Sequence, residues 1–476
     1  MRFLTLTILL LGSSALTTGA ALAQDTQTQT PAPAAVQPQE STLTLQQALR
    51  SAYQNNPTIQ AARAQVKATQ EFLPQANANW QPFVSAGANV TRTDYSGDTT
   101  DISGDGSTAK GADVSFEQPV YRGGRTMAEI AAAKYTIEAQ KAALMIQEQQ
   151  TLLDAVTAYM NVLRDQAVLD LRENNHDVIA RQKQVTTERF QVGELTKTDV
   201  SQSQARLARA EADVITAQGN LRSTVAVFQQ IIGLPPGTLS QPQIPISMPA
   251  TLDETTGVAE SSNPSVLAAT YIHQASEKDI DNAFGELLPD VSVFGSVGKT
   301  YDPDPGLSDD IRASAIGIEA SIPLYEGGAV RSRVRQAKHI SNRRYLEILE
   351  ARRQAHQLAV TNWEALQTAR AEIRSRQAQV EAATVAQEGI RAEAAYGTRT
   401  VIDALDADQE ALDAQVSLVT AQRNEIVAEF ALAATLGYLT PQTLGFPDAA
   451  INPAATRPQG IAGTLNMDVD RVGKPQ

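Results

Sequence analysis

Pro119-Val120-Tyr121-Arg122-Gly123-Gly124 returns later in the chain as Pro323-Leu324-Tyr325-Glu326-Gly327-Gly328. The same offset carries Gly193 onto Gly397, Asp199 onto Asp403, Ala217-Gln218 onto Ala421-Gln422 and Gly233 onto Gly437. Two copies that hold register over such a distance are one architectural unit used twice. In each copy a pair of strand-like segments precedes the motif and a very long helical run follows it. That order predicts a barrel continued by a helical tube, and so a conduit more than an enzyme.

Downstream of each motif the helix signal is long. From Arg125 to about Gln191 there is neither proline nor glycine, and Ala, Gln, Glu, Lys and Leu dominate. Such a run would reach roughly 100 Å at the α-helical rise. The matching run from Ala329 meets only Gly389 before Gly397. Val200, Leu207, Val214, Leu221 and Phe228 step in sevens, as do Leu405, Leu412, Val419 and Ile426. Sustained heptads predict coiled-coil packing. The opposite face carries Gln, Thr, Ser and charge, which suits helices that line water; a solid coiled coil would read the same way. Each long run turns back at a short tip, residues 190–199 and 395–403, where Gly193 or Gly397 supplies a left-handed helix end. Thr198 and Thr400 are the candidate caps of the returning helices.

Upstream of each motif the period is two. Val114 and Phe116 alternate with Asp113, Ser115 and Glu117; Ile316, Ile318 and Ile322 alternate with Gly317, Glu319 and Ser321; Val291, Val293 and Val297 alternate with Ser292, Ser296 and Gly298. Residues 80–90 are the weakest strand, rich in small side chains. The pattern fits a membrane barrel and a soluble sandwich equally. The connections at 91–108 and 300–310 favour the barrel. They hold Asp94, Asp98, Asp101 and Asp105, then Asp302, Asp304, Asp309 and Asp310, as polar outer loops would, without a calcium-loop spacing. Four strands cannot close a membrane barrel, since the smallest type needs about eight. Several chains must share it, and three would supply twelve strands.

The N-terminal segment 1–23 has a secretory layout: Arg2, an apolar run at 4–11, and Ala21-Leu22-Ala23 before Gln24. Residues 24–40 read as a disordered lead rich in Gln, Thr, Pro and Ala. Residues 43–73 read as helical with a break at Asn56-Pro57, answered by Asn263-Pro264, and each run ends at a proline, Leu73-Pro74 and Leu288-Pro289. The chain of 476 residues has no cysteine, which excludes disulfides, thiolate metal sites and a lipoprotein anchor. Its net charge of −14 argues against nucleic-acid binding. Beyond the signal segment no stretch is apolar enough to span a bilayer as a helix.

Read together, these residues resemble the TolC family of outer-membrane efflux and secretion channels. The marks are the doubled Pro-x-Tyr-x-Gly-Gly junction (Pro119, Tyr121, Gly123, Gly124; Pro323, Tyr325, Gly327, Gly328), the Asn-Pro helix starts, and the tip running from Gly397-Thr398-Arg399-Thr400 to Asp406. The resemblance implies an α+β membrane protein: a homotrimer whose twelve-stranded barrel, four strands per chain, is continued by a long helical barrel across the periplasm, with a mixed equatorial band. It implies an exit duct in the outer membrane for type I protein secretion or small-molecule efflux, served by a periplasmic adaptor (a membrane fusion protein) and an inner-membrane pump of the ABC or RND type. No cofactor is implied. By the same motif Asp403 and Asp406 are implied as acidic rings at the periplasmic constriction, with carboxyls raised by like charge. Arg399 is implied as a gate latch reaching the neighbouring chain near Thr198 and Asp199. One departure stands out: the family's gate tyrosine falls at Ala394 here, and Tyr396 sits just before Gly397.

The boundaries expected are a signal segment 1–23, a lead 24–40, a first repeat 41–238, a linker or equatorial segment 239–262, a second repeat 263–445 and a tail 446–476. Residues 439–446 are expected to pack on the middle band. Enzyme signals are lacking. His176, His273, His339 and His356 lie far apart, no Gly-x-Ser-x-Gly elbow occurs, and Lys110 in its glycine-bearing stretch is not followed by Ser or Thr in phosphate-loop order. The alternative reading is a periplasmic coiled-coil adaptor or spacer without a pore. Such a protein should lack the four strands and carry its hairpin once.

Overall fold

The computed structural model describes residues 42–94, 107–242, 247–302 and 310–446. The signal segment, the lead, most of both acidic loops and the tail beyond Phe446 lie outside the described residues. Within the described chain the order is α1 (Leu45–Asn55), α2 (Pro57–Gln70), α3 (Phe72–Ala78), β1 (Phe83–Thr93), β2 (Ser107–Arg122), α4 (Arg125–Gln191) and α5 (Lys197–Ile232). Then the unit repeats: α6 (Leu252–Ser262), α7 (Pro264–Gly285), β3 (Asp290–Tyr301), β4 (Asp310–Ser321), α8 (Ala329–Ala395) and α9 (Val401–Thr435).

The helix starts show how the repeat is written. Asn56 accepts from the Thr58 N–H at 2.9 Å, capping α2 ahead of Pro57, while its Nδ2 donates to the Ile231 carbonyl at 3.0 Å. Asn263 does the same for α7, accepting from Ser265 N–H and donating to the Thr435 carbonyl, both at 2.9 Å. One side chain thus starts a short helix and ties it to the end of the long hairpin in its own copy. The short helices differ from expectation. The first run does not stop at Pro74, which lies inside α3; proline is tolerated there because a first-turn N–H has no helical partner. The linker 239–262 is not bare either, since α6 occupies its second half.

α4 and α8 are 67 residues each. α4 packs along α5 and α8 along α9, giving two long hairpins; α7 lies against both α4 and α8, and α4 also meets α9. Gly389 does not interrupt α8. The largest core sits where the hairpins pass the short helices. Leu49, Ile59, Leu152, Tyr159, Phe228 and Ile232 are all buried there. The single Tyr159 hydroxyl hydrogen is shared between the carbonyls of Leu43 (2.9 Å) and Ser240 (2.6 Å), which pins the isolated parallel bridge between Leu43 and Leu239. Residues 439–446 join this core through Leu439, Leu444 and Phe446, with the Phe446 ring 5.9 Å from that of Tyr53.

The four strands form one antiparallel sheet in the order β1-β2-β3-β4. Its register sorts the side chains. One face carries the row Val84-Phe116-Gly295-Ile316, flanked by Ala86-Val114-Val297-Ser314 and Val293-Ile318. The other carries Ser85-Ser115-Ser296-Ala315 and the acids Asp113, Glu117 and Glu319. Ile316 and Ile318 are 80% and 75% exposed. Isoleucines so exposed midway along a strand, on the same face as Phe116 and Val114, lack the covering layer that a soluble sandwich would provide.

At the junctions the two copies diverge slightly. β2 runs past Pro119 through a bulge and ends at Arg122, whereas β4 ends at Ser321, so Pro323 lies beyond its strand. Gly124 and Gly328 sit at φ 78 and 82 at the helix starts, and Gly123 and Gly327 are also left-handed. Gly123 carries a second constraint: a Cβ there would fall 2.2 Å from the Gly285 carbonyl oxygen. Only glycine fits that combination.

Candidate gate at the helical tips

Both hairpins end in the same turn. Past α4, Gly193 N–H bonds to the Phe190 carbonyl at 3.0 Å and Glu194 N–H to the Arg189 carbonyl at 2.9 Å. Past α8, Gly397 N–H reaches the Ala394 carbonyl at 3.2 Å and Thr398 N–H the Glu393 carbonyl at 3.0 Å. This pair of bonds around a left-handed glycine closes the last carbonyls of each helix. The returning helices start on capping boxes, Thr196 with Asp199 and Thr400 with Asp403. The candidate cap Thr198 is therefore corrected to Thr196. Thr198 lies one residue inside α5, beyond the cap position that Thr196 fills.

Capping decides what the tip acids do. The Asp403 carboxylate accepts from Thr400 N–H at 3.1 Å and from its hydroxyl at 2.8 Å. These backbone and side-chain bonds, with Arg399 nearby, hold the Asp403 carboxyl below the usual range. Asp199 is lowered in the same way by the Thr196 hydroxyl and backbone. This downward pull comes from within one chain, whereas the upward shift expected from like charge would need the carboxylates of neighbouring copies. Asp406, one turn on, faces a different partner. Arg206 Nη2 on α5 donates to its Oδ1 at 2.5 Å. Asp403 and Asp406 share the first turns of α9, as their spacing requires, but each is already engaged.

Arg399 is exposed and donates from Nε to Glu393 Oε2 at 2.9 Å, inside its own tip. The chain does not bring it to Thr198 or Asp199, which belong to the other hairpin. Ala394 is half-buried at the end of α8, and Tyr396 is 88% exposed beside Gly397. Behind the tip, Asp408 is buried and accepts from Arg391 Nε (2.7 Å) and Gln387 Nε2 (3.0 Å), bracing α8 against α9. A carboxylate buried without such partners would be costly. The two hairpins meet here through Ile179, Ala210 and Leu405 as well as the Arg206–Asp406 pair. Glu393, Arg206, Asp408 and Arg391 were not singled out from sequence. Spacing on α8 and α9 makes the Arg391–Asp408 link visible only once the hairpin is folded.

An uncovered two-faced sheet, continued by twin helical hairpins with matching polar tips, defines a channel subunit of the outer-membrane type. The outer membrane efflux protein family matches residues 48–234 and 256–438, one stretch in each repeat. The outer membrane efflux protein BepC of Brucella suis biovar 1 is 29% identical over 416 residues, covering 86% of this chain and 89% of that protein. The outer membrane protein TolC of Escherichia coli K12 is 29% identical over 442 residues, covering 88% and 87%. Among solved structures, the outer membrane protein VceC of Vibrio cholerae superposes with a TM-score of 0.71 at 21% identity, covering 83% of this chain and 96% of that one. The chain belongs to the outer membrane efflux protein family: it is a TolC-like export channel protein of the outer membrane that extends into the periplasm.

Proposed function

We propose that three copies of this chain close one twelve-stranded barrel through the outer membrane and one helical tunnel beneath it. The observation that carries this reading is the sheet: it ends at β1 on one side and β4 on the other, with no further strand beside either among the described residues. Open edges leave a row of backbone groups unpaired, and lipid does not tolerate that. Three four-stranded sheets joined β4 to β1 would leave no edge. The apolar face would meet lipid and the serine- and acid-bearing face would meet water.

The duct performs no chemistry in this reading. An inner-membrane pump, of the ABC or RND type, supplies energy, and a periplasmic adaptor engages the helical tips. The cargo class is that of a tripartite exporter, either a secreted protein or small molecules; BepC is by name an efflux protein. The tips form the gate. Arg399 would exchange its internal partner Glu393 for Thr198 and Asp199 of a neighbouring copy, and Asp403 and Asp406 would ring the constriction. The poreless adaptor reading is not favoured, because an adaptor has no use for an exposed apolar sheet. The deciding experiment is single-channel conductance of the purified mature protein in a planar bilayer, beside its mass in solution. A trimer that opens cation-selective pores supports the reading. A folded protein that never inserts would overturn it.

A further inference from the structure

The apolar face of the sheet is basic at one end only. Register places Arg92 of β1, Lys110 of β2, Lys299 of β3 and Arg312 of β4 on this face, one cation from each strand. They fall in the last three rows before the strand ends that lead to the acidic connections. Ala88, Ala112, Lys299 and Arg312 form one row; Val90, Lys110, Tyr301 and Asp310 form the next; Arg92 and Thr108 form the third. The opposite face at these levels carries Asn89, Thr91, Thr300 and Ile311 but no cation. At the other end of the apolar face, Gln118, Val293 and Ile318 lie in one row and Tyr121, Val291 and Ala320 in another, also without cations.

Two of the four cations are already committed. Arg92 pairs with Asp94 at 3.1 Å, and Lys299 pairs with Asp310 at 2.6 Å while lying 4.0 Å from the centre of the Tyr301 ring. Lys110 and Arg312 make no ion pair with any described residue, and both are exposed. They stand two strand spacings apart, roughly 10 Å across the sheet.

A cation on a lipid-facing strand costs about 2–4 kcal/mol at the bilayer midplane and nearly nothing at the interface. The belt therefore marks headgroup level, and the tyrosine within it fits an interfacial girdle. We propose that Lys110 and Arg312, steadied by the Lys299–Tyr301–Asp310 cluster between them, form a binding surface for phosphorylated lipid headgroups of the outer leaflet. The occupant is a glycolipid bearing phosphate monoesters, and the argument is charge complementarity. The chain as a whole is acidic, yet this face holds two cations with no ion partner among the described residues, both near headgroup level. Arg binds phosphate through its planar fork and Lys as a compact point charge.

This inference rests on the barrel reading, because it needs the apolar face in lipid with its basic end outward. The test uses the assembled channel in detergent, the double variant Lys110→Gln/Arg312→Gln, and three probes: bis-phosphorylated lipid A, its dephosphorylated form, and inorganic phosphate. Native mass spectrometry counts bound lipid, and planar-bilayer conductance of the same preparations reports the barrel. Expected is at least tenfold stronger retention of the phosphorylated lipid than of the dephosphorylated one by the wild type. That preference should be lost in the double variant, while conductance stays unchanged and inorganic phosphate at equal concentration displaces nothing. Equal retention by a conducting double variant overturns the belt and leaves the barrel standing. Displacement by inorganic phosphate overturns the lipid as occupant. A wild type that forms no pore removes both readings.

Discussion

Arg206 on α5 and Asp406 on α9 join the two hairpins near their tips, Nη2 to Oδ1 at 2.5 Å. The pair is solvent-exposed, so its loss should cost under about 1 kcal/mol of stability. Arg206 offsets the charge of Asp406, one of the two acids proposed for the constriction. Arg206→Ala should deepen block of the channel by trivalent cations several-fold, and Asp403→Ala/Asp406→Ala should weaken it. Conductance traces with added trivalent ion give both answers, and block indifferent to all three changes would remove the acids from the constriction.

Arg399 holds Glu393 in its own tip. If it also latches the closed trimer, Arg399→Ser should raise resting conductance, whereas Glu393→Gln should leave the channel closed because the arginine is then freer to reach its neighbour. A resting state unaltered by Arg399→Ser counts against the latch.

The tip caps carry a pH dependence. Asp199 and Asp403 both have carboxyls held below the usual aspartate range in the folded chain, the first by the Thr196 hydroxyl and backbone N–H, the second by the Thr400 backbone N–H and hydroxyl. A carboxyl lowered on folding adds stability that is present above its unfolded pKa and is lost as pH falls through the folded one. The starts of α5 and α9 should therefore keep their protection from amide exchange at pH 5 and lose it below about pH 4. Asp403→Asn should remove the pH step at α9 alone. Thr400→Ala should weaken the same helix start by about 1 kcal/mol at neutral pH.

Gly123 and Gly327 occupy matching positions but not matching surroundings. A Cβ at Gly123 would meet the Gly285 carbonyl oxygen and Leu288, whereas at Gly327 nothing lies within 4 Å. Gly123→Ala should abolish assembled channel in the membrane. Gly327→Ala should pay only the left-handed backbone strain, about 1–2 kcal/mol. Immunoblots of unheated membrane extracts would separate the two.

Tyr159→Phe deletes the hydroxyl shared between the carbonyls of Leu43 and Ser240 while keeping the ring packed. The expected cost is about 1–3 kcal/mol, read from thermal unfolding. The segments around Leu43 and Leu239 should be the first to gain proteolytic sensitivity.

The long helices were legible because proline and glycine are absent over whole runs, and α4 spans the expected Arg125 to Gln191. β1 was faint because Ser85, Ala86, Gly87 and Ala88 give alternation little contrast; only pairing with β2 defines it. The first cap was misread because Thr196 and Thr198 flank Lys197, although the repeat offset from Thr400 points to Thr196. Arg206 gave no signal of any kind. The offset sets Glu410 opposite it, so the repeat is broken there, and its partner lies on another hairpin.

The two open sheet edges have a consequence in genetics. If three copies share one barrel, as proposed, a variant cannot be judged by its own dose. In such a trimer, with mutant and normal copies mixing at random, the share of wholly normal rings would fall as the cube of the normal fraction. A variant that still offers its β1 and β4 edges but carries a jammed tip should therefore disable most ducts in a cell that also makes the normal chain. A variant that loses those edges should be silent.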